Sequence, residues 1–321
     1  SLAQVNLDSL WNVWNDKTQA DTSRLKAMEK IAWDGYIFSQ PDSAFYFAGL
    51  QYDYAESVNN KKWMSDALYI QGGSFSFRGD YTKAIEYYTK SLKIDEERGD
   101  EKGIAVILNN IGIIYYYQSN YAKAIDYYTK SLKIYEELGH KKGISSPLHN
   151  LGNIYKDQGD YAKAIEYYTR SLKIFEEMEN KRGIAQSLNS IGIIYQEQGD
   201  YAKAIDYYSK SLKTREETGH KIGIALSLNN IGGIYYDQGD NAKAMEYYTK
   251  SLKIQEELEM KKGIASSLNN IGNIYYEQGD LAKALDYYTR SLKIRKEIGI
   301  KIGISASLTN IGMIYQKQGD L

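Results

Sequence analysis

The side chains in this sequence that could do chemistry are few, and their spacing speaks against catalysis. There are three histidines, His140, His149 and His220. His140 and His220 fall at equivalent points of an internal repeat, neither with a second histidine nearby, so no metal-binding pair forms and exposed loop histidines are expected. The acid pairs Glu136-Glu137 and Glu176-Glu177 could share a proton in principle. They stand at helix ends beside lysines, however, which is the pattern of a solvated helix face. Gly139 and Gly143 flank lysines without the preceding strand that a phosphate-binding loop needs. Cysteine is absent, which excludes disulfides, thiolate metal sites and cysteine nucleophiles. The expectation is therefore no catalytic residue, no metal and no cofactor. What does recur is an amide: Asn110, Asn150, Asn230, Asn270 and Asn310 share one register, interrupted by Ser190, and Asn109, Asn189, Asn229 and Asn269 precede them. Asparagine is a poor helix former, so the recurrence needs another reason. An amide offers both a donor and an acceptor. It could hold the backbone of an extended peptide whatever its side chains, or tie neighbouring helices together, and both readings stay open.

The elements that position these amides come from one stretch written repeatedly. Residues 264–303 form a forty-residue unit that overlays most of the chain without a gap. Ile264, Leu268, Ile271 and Tyr275 lie at helical spacing on one stripe, and Gly272 sits within it. A glycine inside a helix costs about 1 kcal/mol relative to alanine, so close approach of a second helix is expected there. Gln278-Gly279-Asp280 breaks the period, with the glycine suited to the left-handed end of one helix and the aspartate to capping the next. Leu281, Ala284, Leu285, Tyr288 and Leu292 then mark the second helix, while Tyr287 and Ile294 widen its apolar surface beyond what one partner covers. A lone pair of such helices cannot bury its own faces; stacked copies can.

Leu268, Ile271, Gly272, Tyr275, Ala284 and Tyr288, with the run QGD-x-AKA-x-x-YY, resemble the tetratricopeptide repeat signature. Two features depart from it: the closing proline is replaced by Glu136, Glu256 or Lys296, and the unit has forty residues rather than thirty-four. The sequence is thus similar to the long-repeat subclass found in kinesin light chains, spindle-orientation adaptors and bacterial signalling proteins such as histidine kinases and nucleotide cyclases. The resemblance implies an all-α fold, a right-handed α-solenoid superhelix of antiparallel helix pairs. It also implies that the outward face of each first helix lines a concave groove. At 100° per residue that face carries Val106, Asn109, Asn110, Ile113 and Tyr117 in one copy. The expected peptide-binding set is Asn109, Asn110, Asn150, Asn189, Asn229, Asn230, Asn269, Asn270 and Asn310, with Tyr116, Lys156, Tyr236 and Tyr276 on the variable positions around them. The family's charged clamp for a terminal carboxylate is mostly missing, with Lys156 and Lys317 alone available.

In chain order, residues 1–23 read as a lead-in cap, 24–63 as a degenerate repeat, 64–303 as six clear repeats and 304–321 as an unpaired first helix. Pro147 is expected in the first turn of its helix, where the lost amide costs little. Forty basic residues balance 41 acidic ones, so no basic field attracts a nucleic acid. No apolar run is long enough to span a membrane. Ser1-Leu2-Ala3-Gln4 resembles the end of a cleaved signal peptide, which points to export to the periplasm, with a cytoplasmic location as the alternative. The functional expectation is a scaffold that binds a protein or peptide in its groove, the sensory or interaction segment of a larger bacterial signalling protein. The alternative is a stand-alone adaptor that self-associates through its uncovered end near Leu308.

Overall fold

The computed structural model describes residues 6–319, and among these every regular element is helical. The chain divides into two compact units, Ser1–Gly159 and Asp160–Leu321. The first contains α1 (Leu7–Asn15), α2 (Asp21–Lys30) continued by a π-helical turn (Ile31–Tyr36), α3 (Pro41–Ser57), α4 (Lys61–Phe77), α5 (Tyr81–Arg98), α6 (Glu101–Tyr117), α7 (Tyr121–Glu137) and α8 (Lys141–Asp157). The second contains α9 (Tyr161–Glu177), α10 (Lys181–Glu197), α11 (Tyr201–Glu217), α12 (Lys221–Asp237), α13 (Asn241–Glu257), α14 (Lys261–Glu277), α15 (Leu281–Glu297) and α16 (Lys301–Gln318). The resemblance to Ser1-Leu2-Ala3-Gln4 of a signal-peptide end lies outside the described residues.

Within each unit, every helix packs on the next in sequence. The punctuation follows from the turn residues. Gly279 has φ +79°, and the Asp280 carboxylate accepts from the amide of Lys283 at 3.1 Å, ending one helix and capping the next. Asp200 and Asp240 cap α11 and α13 in the same way, each at 3.1 Å.

The first helices begin three residues ahead of the boundaries set by aligning copies, at Lys61, Lys141, Lys181, Lys221 and Lys261. This corrects the place of Pro147. It sits in the second turn of α8, inside the helix, where it forgoes a bond to the carbonyl four residues back. The helix nevertheless runs unbroken to Asp157.

The glycine in each first helix has the reason expected for it. A Cβ on Gly112 would meet the ring of Tyr128 at 2.7 Å, and one on Gly192 would meet Tyr208 at 2.7 Å. Those tyrosines are 1% exposed, so the ring of the second helix lies flat against a first helix bared for it. Ala84, Ala124, Ala204, Ala244 and Ala284 are fully buried beside them. Ile114, Ile154, Ile194, Ile234 and Ile274 are also fully buried, a column the predicted stripe omits. A second unforeseen column is polar: Ser131, Ser211, Ser251 and Ser291 have no exposure, and each hydroxyl donates to the carbonyl of Ala105, Ala185, Ala225 or Ala265 at 2.7–2.8 Å. These bonds tie each second helix to the first helix before it without leaving a buried hydroxyl unpaired.

Candidate functional site

The expected site residues do fall on the first helices, and the structure places them in two rows of bonds running from one first helix to the next. In the inner row, the Asn150 amide donates to Asn109 Oδ1 at 3.1 Å. The same bond joins Asn230 to Asn189 at 3.1 Å, Asn270 to Asn229 at 3.3 Å and Asn310 to Asn269 at 3.1 Å. Asn110 donates to the hydroxyl of Tyr69 at 3.1 Å, because Tyr69 holds the position that asparagine holds in later copies. Burial pushes that hydroxyl's pKa up to about 12, so it stays protonated.

One member departs from the outward orientation expected of it. Asn109 is only 8% exposed, because a helical wheel drawn for one helix ignores the next first helix lying against it. Asn150, Asn189, Asn229, Asn230, Asn269, Asn270 and Asn310 are half-buried at the seams. Each bond uses one N–H and one lone pair of an amide pair that has four of each between its two members. Among the described residues the buried side-chain atoms left without a partner belong to Gln51 and Asn241, so the amide atoms not engaged in the row are not sealed from solvent unpaired.

The outer row is made by the variable positions. Tyr116 donates to Asp157 at 2.6 Å and Tyr236 to Glu277. Lys317 stands over the ring of Tyr276, 4.6 Å from its centroid. Lys156 pairs with Asp157 at 3.0 Å. Burial and the neighbouring carboxylates raise the pKa of Tyr116 and Tyr236. Gln196 and Asn273, also on variable positions, accept from the buried hydroxyls of Tyr208 and Tyr288 at 2.9 and 2.8 Å. The varied side chains therefore also complete the core.

The histidines are not the exposed loop residues anticipated. His149 lies within α8 in the same column as Asn109, and burial holds its pKa down at about 4. His140 and His220 sit at the N-terminal boundaries of α8 and α12, both half-buried, and the His140 ring stacks on Tyr135 at 5.5 Å. Among the described residues no group of three or more His, Asp or Glu is placed to hold a metal.

A further set of residues escaped the sequence reading. One position near the end of each second helix changes from copy to copy, as Asp95, Tyr135, Phe175, Arg215, Gln255 and Arg295. Each of these side chains lies over a glycine that opens the following first helix, Gly103, Gly143, Gly183, Gly223, Gly263 or Gly303. A Cβ on Gly223, for instance, would meet Arg215 Cδ at 2.7 Å. The constant glycine makes room for a variable neighbour. Over Asp95 the cleft is about 480 Å³ and includes Glu29, Trp33, Asp66 and Tyr69. Over Tyr135 it is about 360 Å³ and reaches Asn109 and Asn110 of the amide row.

With this geometry in hand, the sequence matches the tetratricopeptide repeat family over residues 63–137, 143–217 and 223–297. The chain belongs to the tetratricopeptide repeat family. Its fold is accordingly the all-α solenoid of tetratricopeptide type. No curated protein matches it by sequence. Similar solved structures include a signal transduction ATPase with numerous domains that carries a tetratricopeptide repeat sensor, from Pyrococcus horikoshii. That protein is 17% identical with a TM-score of 0.68, over 98% of this chain and 48% of the other. Aspartyl phosphate phosphatase F from Bacillus subtilis is 15% identical with a TM-score of 0.62, over 97% and 93%. A Rap protein solved in complex with Competence and Sporulation Factor is 16% identical with a TM-score of 0.56, over 98% and 97%. At these identities the likeness is one of fold. Tetratricopeptide repeats are interaction scaffolds, and no helix among the described residues is long and apolar enough to cross a membrane.

Proposed function

We propose that this tetratricopeptide chain binds an extended protein or peptide segment along the face of its first helices, as the sensory or interaction segment of a larger bacterial signalling protein. The observation that carries the reading is the row of paired asparagines. The amides are held in place by one another, and each pair keeps hydrogen-bonding capacity at a half-buried surface. Pre-positioned amides lose little entropy when a peptide backbone bonds to them, so more of the contact energy appears as affinity. The same bonds also serve the purely structural reading, and the two are separable by experiment. The sensor repeats of the Pyrococcus protein and the Rap complex with Competence and Sporulation Factor support an input role by analogy of fold.

The test is to select binders from a library of extended peptides against the whole chain and compare affinities with the double variant Asn230→Ala, Asn270→Ala. Loss of backbone bonds at two seams should weaken binding by about tenfold or more. The melting temperature should stay within a few degrees, since two half-buried neutral bonds contribute only about 1 kcal/mol each. A large fall in stability with affinity unchanged would show that the amides are structural ties and nothing else.

A further inference from the structure

The cleft over Arg215 gathers basic side chains without an acid among them, as the cleft over Tyr135 does with Lys102 and Lys142, but here one of them is a buried guanidinium. It lies between α10, α11 and α12, has a volume of about 390 Å³, and is lined by Lys181, Arg182, Arg215, Thr218, His220 and Leu226 among others. Arg215 is 9% exposed. Its Nη1 donates to the Gly223 carbonyl at 2.7 Å and to Ser227 Oγ at 2.9 Å, both neutral acceptors. Among the described residues no carboxylate pairs with Arg215 or with Arg182. Arg215 lines the cleft, and its Nε and Nη2 are not among the atoms sealed away unpaired. Glu217, two residues after Arg215, is held by Lys181 at 3.1 Å and lies about half exposed.

A buried guanidinium without a counter-charge is costly. Elsewhere the chain avoids that cost: Arg98 is neutralised by Asp95 at 2.7 Å and by Asp100 at 3.2 Å. Arg295 makes the same two neutral bonds as Arg215, to Gly303 and Ser307, but is less buried, and Ile300 stands where His220 does. Lys261 and Lys262 stand where Lys181 and Arg182 do, so what the latch alone does not account for is the deeper burial of Arg215 and the His220 ring beside it. The charges of Arg182 and Arg215 reach the His220 ring, whose pKa is held down by burial and then by the two guanidiniums. An arginine fork with free N–H groups in a partly dehydrated cleft matches the planar, paired oxygens of a carboxylate or phosphoryl group.

We propose that this cleft is an oxyanion-binding site for a single carboxylate or phosphoryl group, with Arg215 as the fork, Arg182 supplying further positive charge and the neutral His220 ring at its edge. The group is carried on an acidic partner segment or arrives as a free ion, and only the first source rests on the function proposed above. On that source, the partner carries an acidic residue where it crosses α10 and α12.

The test follows the His220 imidazole resonance of the whole chain by NMR while inorganic phosphate is added, and separately a short glutamate-containing peptide and its glutamine counterpart. Phosphate should shift the resonance saturably at low millimolar concentration. Arg182→Gln, an exposed change that breaks no described bond, should weaken binding about fivefold or more with the melting temperature unchanged. Arg215→Lys keeps the charge but loses the fork and should weaken it similarly, whereas Arg295→Gln should leave it intact. Tighter binding of the glutamate peptide than of phosphate or the glutamine peptide assigns the group to a partner; tighter phosphate assigns it to a free ion. The proposal is overturned if the native chain shows no saturable shift up to about 20 mM, or if binding is indifferent to both Arg182 and Arg215. Phosphate binding that survives alongside an Asn230/Asn270 variant of unchanged peptide affinity would remove the groove reading and leave this site standing.

Discussion

The cleft over Asp95 and the cleft over Arg215 occupy the same place in the repeat and have opposite character. In the first unit, Glu29, Asp66, Asp95 and Asp100 outnumber Lys62 and Lys102 in a cleft whose wall includes Trp33 and Tyr69. In the second, Lys181, Arg182, Arg215 and His220 share one. The backbone around both is the same: a glycine at the start of the next first helix, a serine one turn earlier on the second helix, and a salt bridge at the rim, Lys61 to Glu97 at 2.9 Å or Lys181 to Glu217 at 3.1 Å. One helical position, with the side chains that accompany it, decides the sign of the charge. The repeat thus separates a constant frame that packs from positions that vary, at the inter-repeat cleft as well as on the first helices.

Exchanging the character of one cleft should produce the largest effect. Arg215→Glu sets a buried carboxylate against the Gly223 carbonyl that now accepts from the guanidinium, and leaves both it and Ser227 without their donor. An unpaired buried charge costs about 3–5 kcal/mol. Urea unfolding of the variant should show a loss of that order. A loss below about 1 kcal/mol would mean that the cleft is too wet for its charge to matter, and the contrast between the two clefts would carry no energetic weight.

A smaller and opposite pair of responses is expected from pH. Burial raises the pKa of Glu29, Asp66 and Asp95 in the folded chain, with Asp66's charge adding to the effect on Glu29. A raised acid binds its proton more readily folded than unfolded, so lowering the pH stabilises this region. His220 is shifted the other way, by burial and then by Arg182 and Arg215, so below about pH 6.5 the unfolded state takes the proton first and stability falls. His149 on α8, held at about 4, belongs with His220. Amide exchange corrected for intrinsic rates should therefore show protection rising in α4–α6 as the pH falls toward about 4.5, and falling in α8 and α10–α12 below about 6.5. That window lies above the range in which the capping Asp200 and Asp240, whose pKa values are lowered by their bonds to Lys203 and Lys243, begin to protonate. A uniform change across both units would remove the difference between the clefts.

Most of the fold was legible in the sequence because its determinants are local and repeated. Gly272 with Tyr288 and Gly279 with Asp280 are short-range signals written in nearly every copy, and each has the contact it implied. What escaped depended on a neighbouring helix. Ser131 reads as a surface residue until the Ala105 carbonyl is placed above it. Asn109 points outward on an isolated helix and is covered by the next one. Pro147 falls in the second turn because His140, not the start of the aligned repeat, caps its helix. The amides were visible as a column, and their mutual bonds were one of two readings left open. The column of Arg215 was equally visible as variation, but polar side chains near a helix end read as solvated, and their burial beneath the next repeat's glycine is a tertiary fact.

The smallest effect should come from the feature common to both clefts. The rim pairs Lys61–Glu97 and Lys181–Glu217 have all four side chains roughly half exposed. Water screens such pairs, and the entropy lost in fixing two long side chains offsets what attraction remains. Lys61→Ala and Lys181→Ala should each leave the melting temperature within about one degree of the native chain. Their consequences for ligands should nevertheless differ. In the basic cleft, removing Lys181 releases Glu217 beside Arg182 and Arg215, so anion binding should weaken while the fold is unaffected. In the acidic cleft, removing Lys61 releases Glu97 among like charges and should leave anion binding untouched. Equal behaviour of the two variants toward phosphate would show that the rim, and not the variable position beneath it, sets what each cleft prefers.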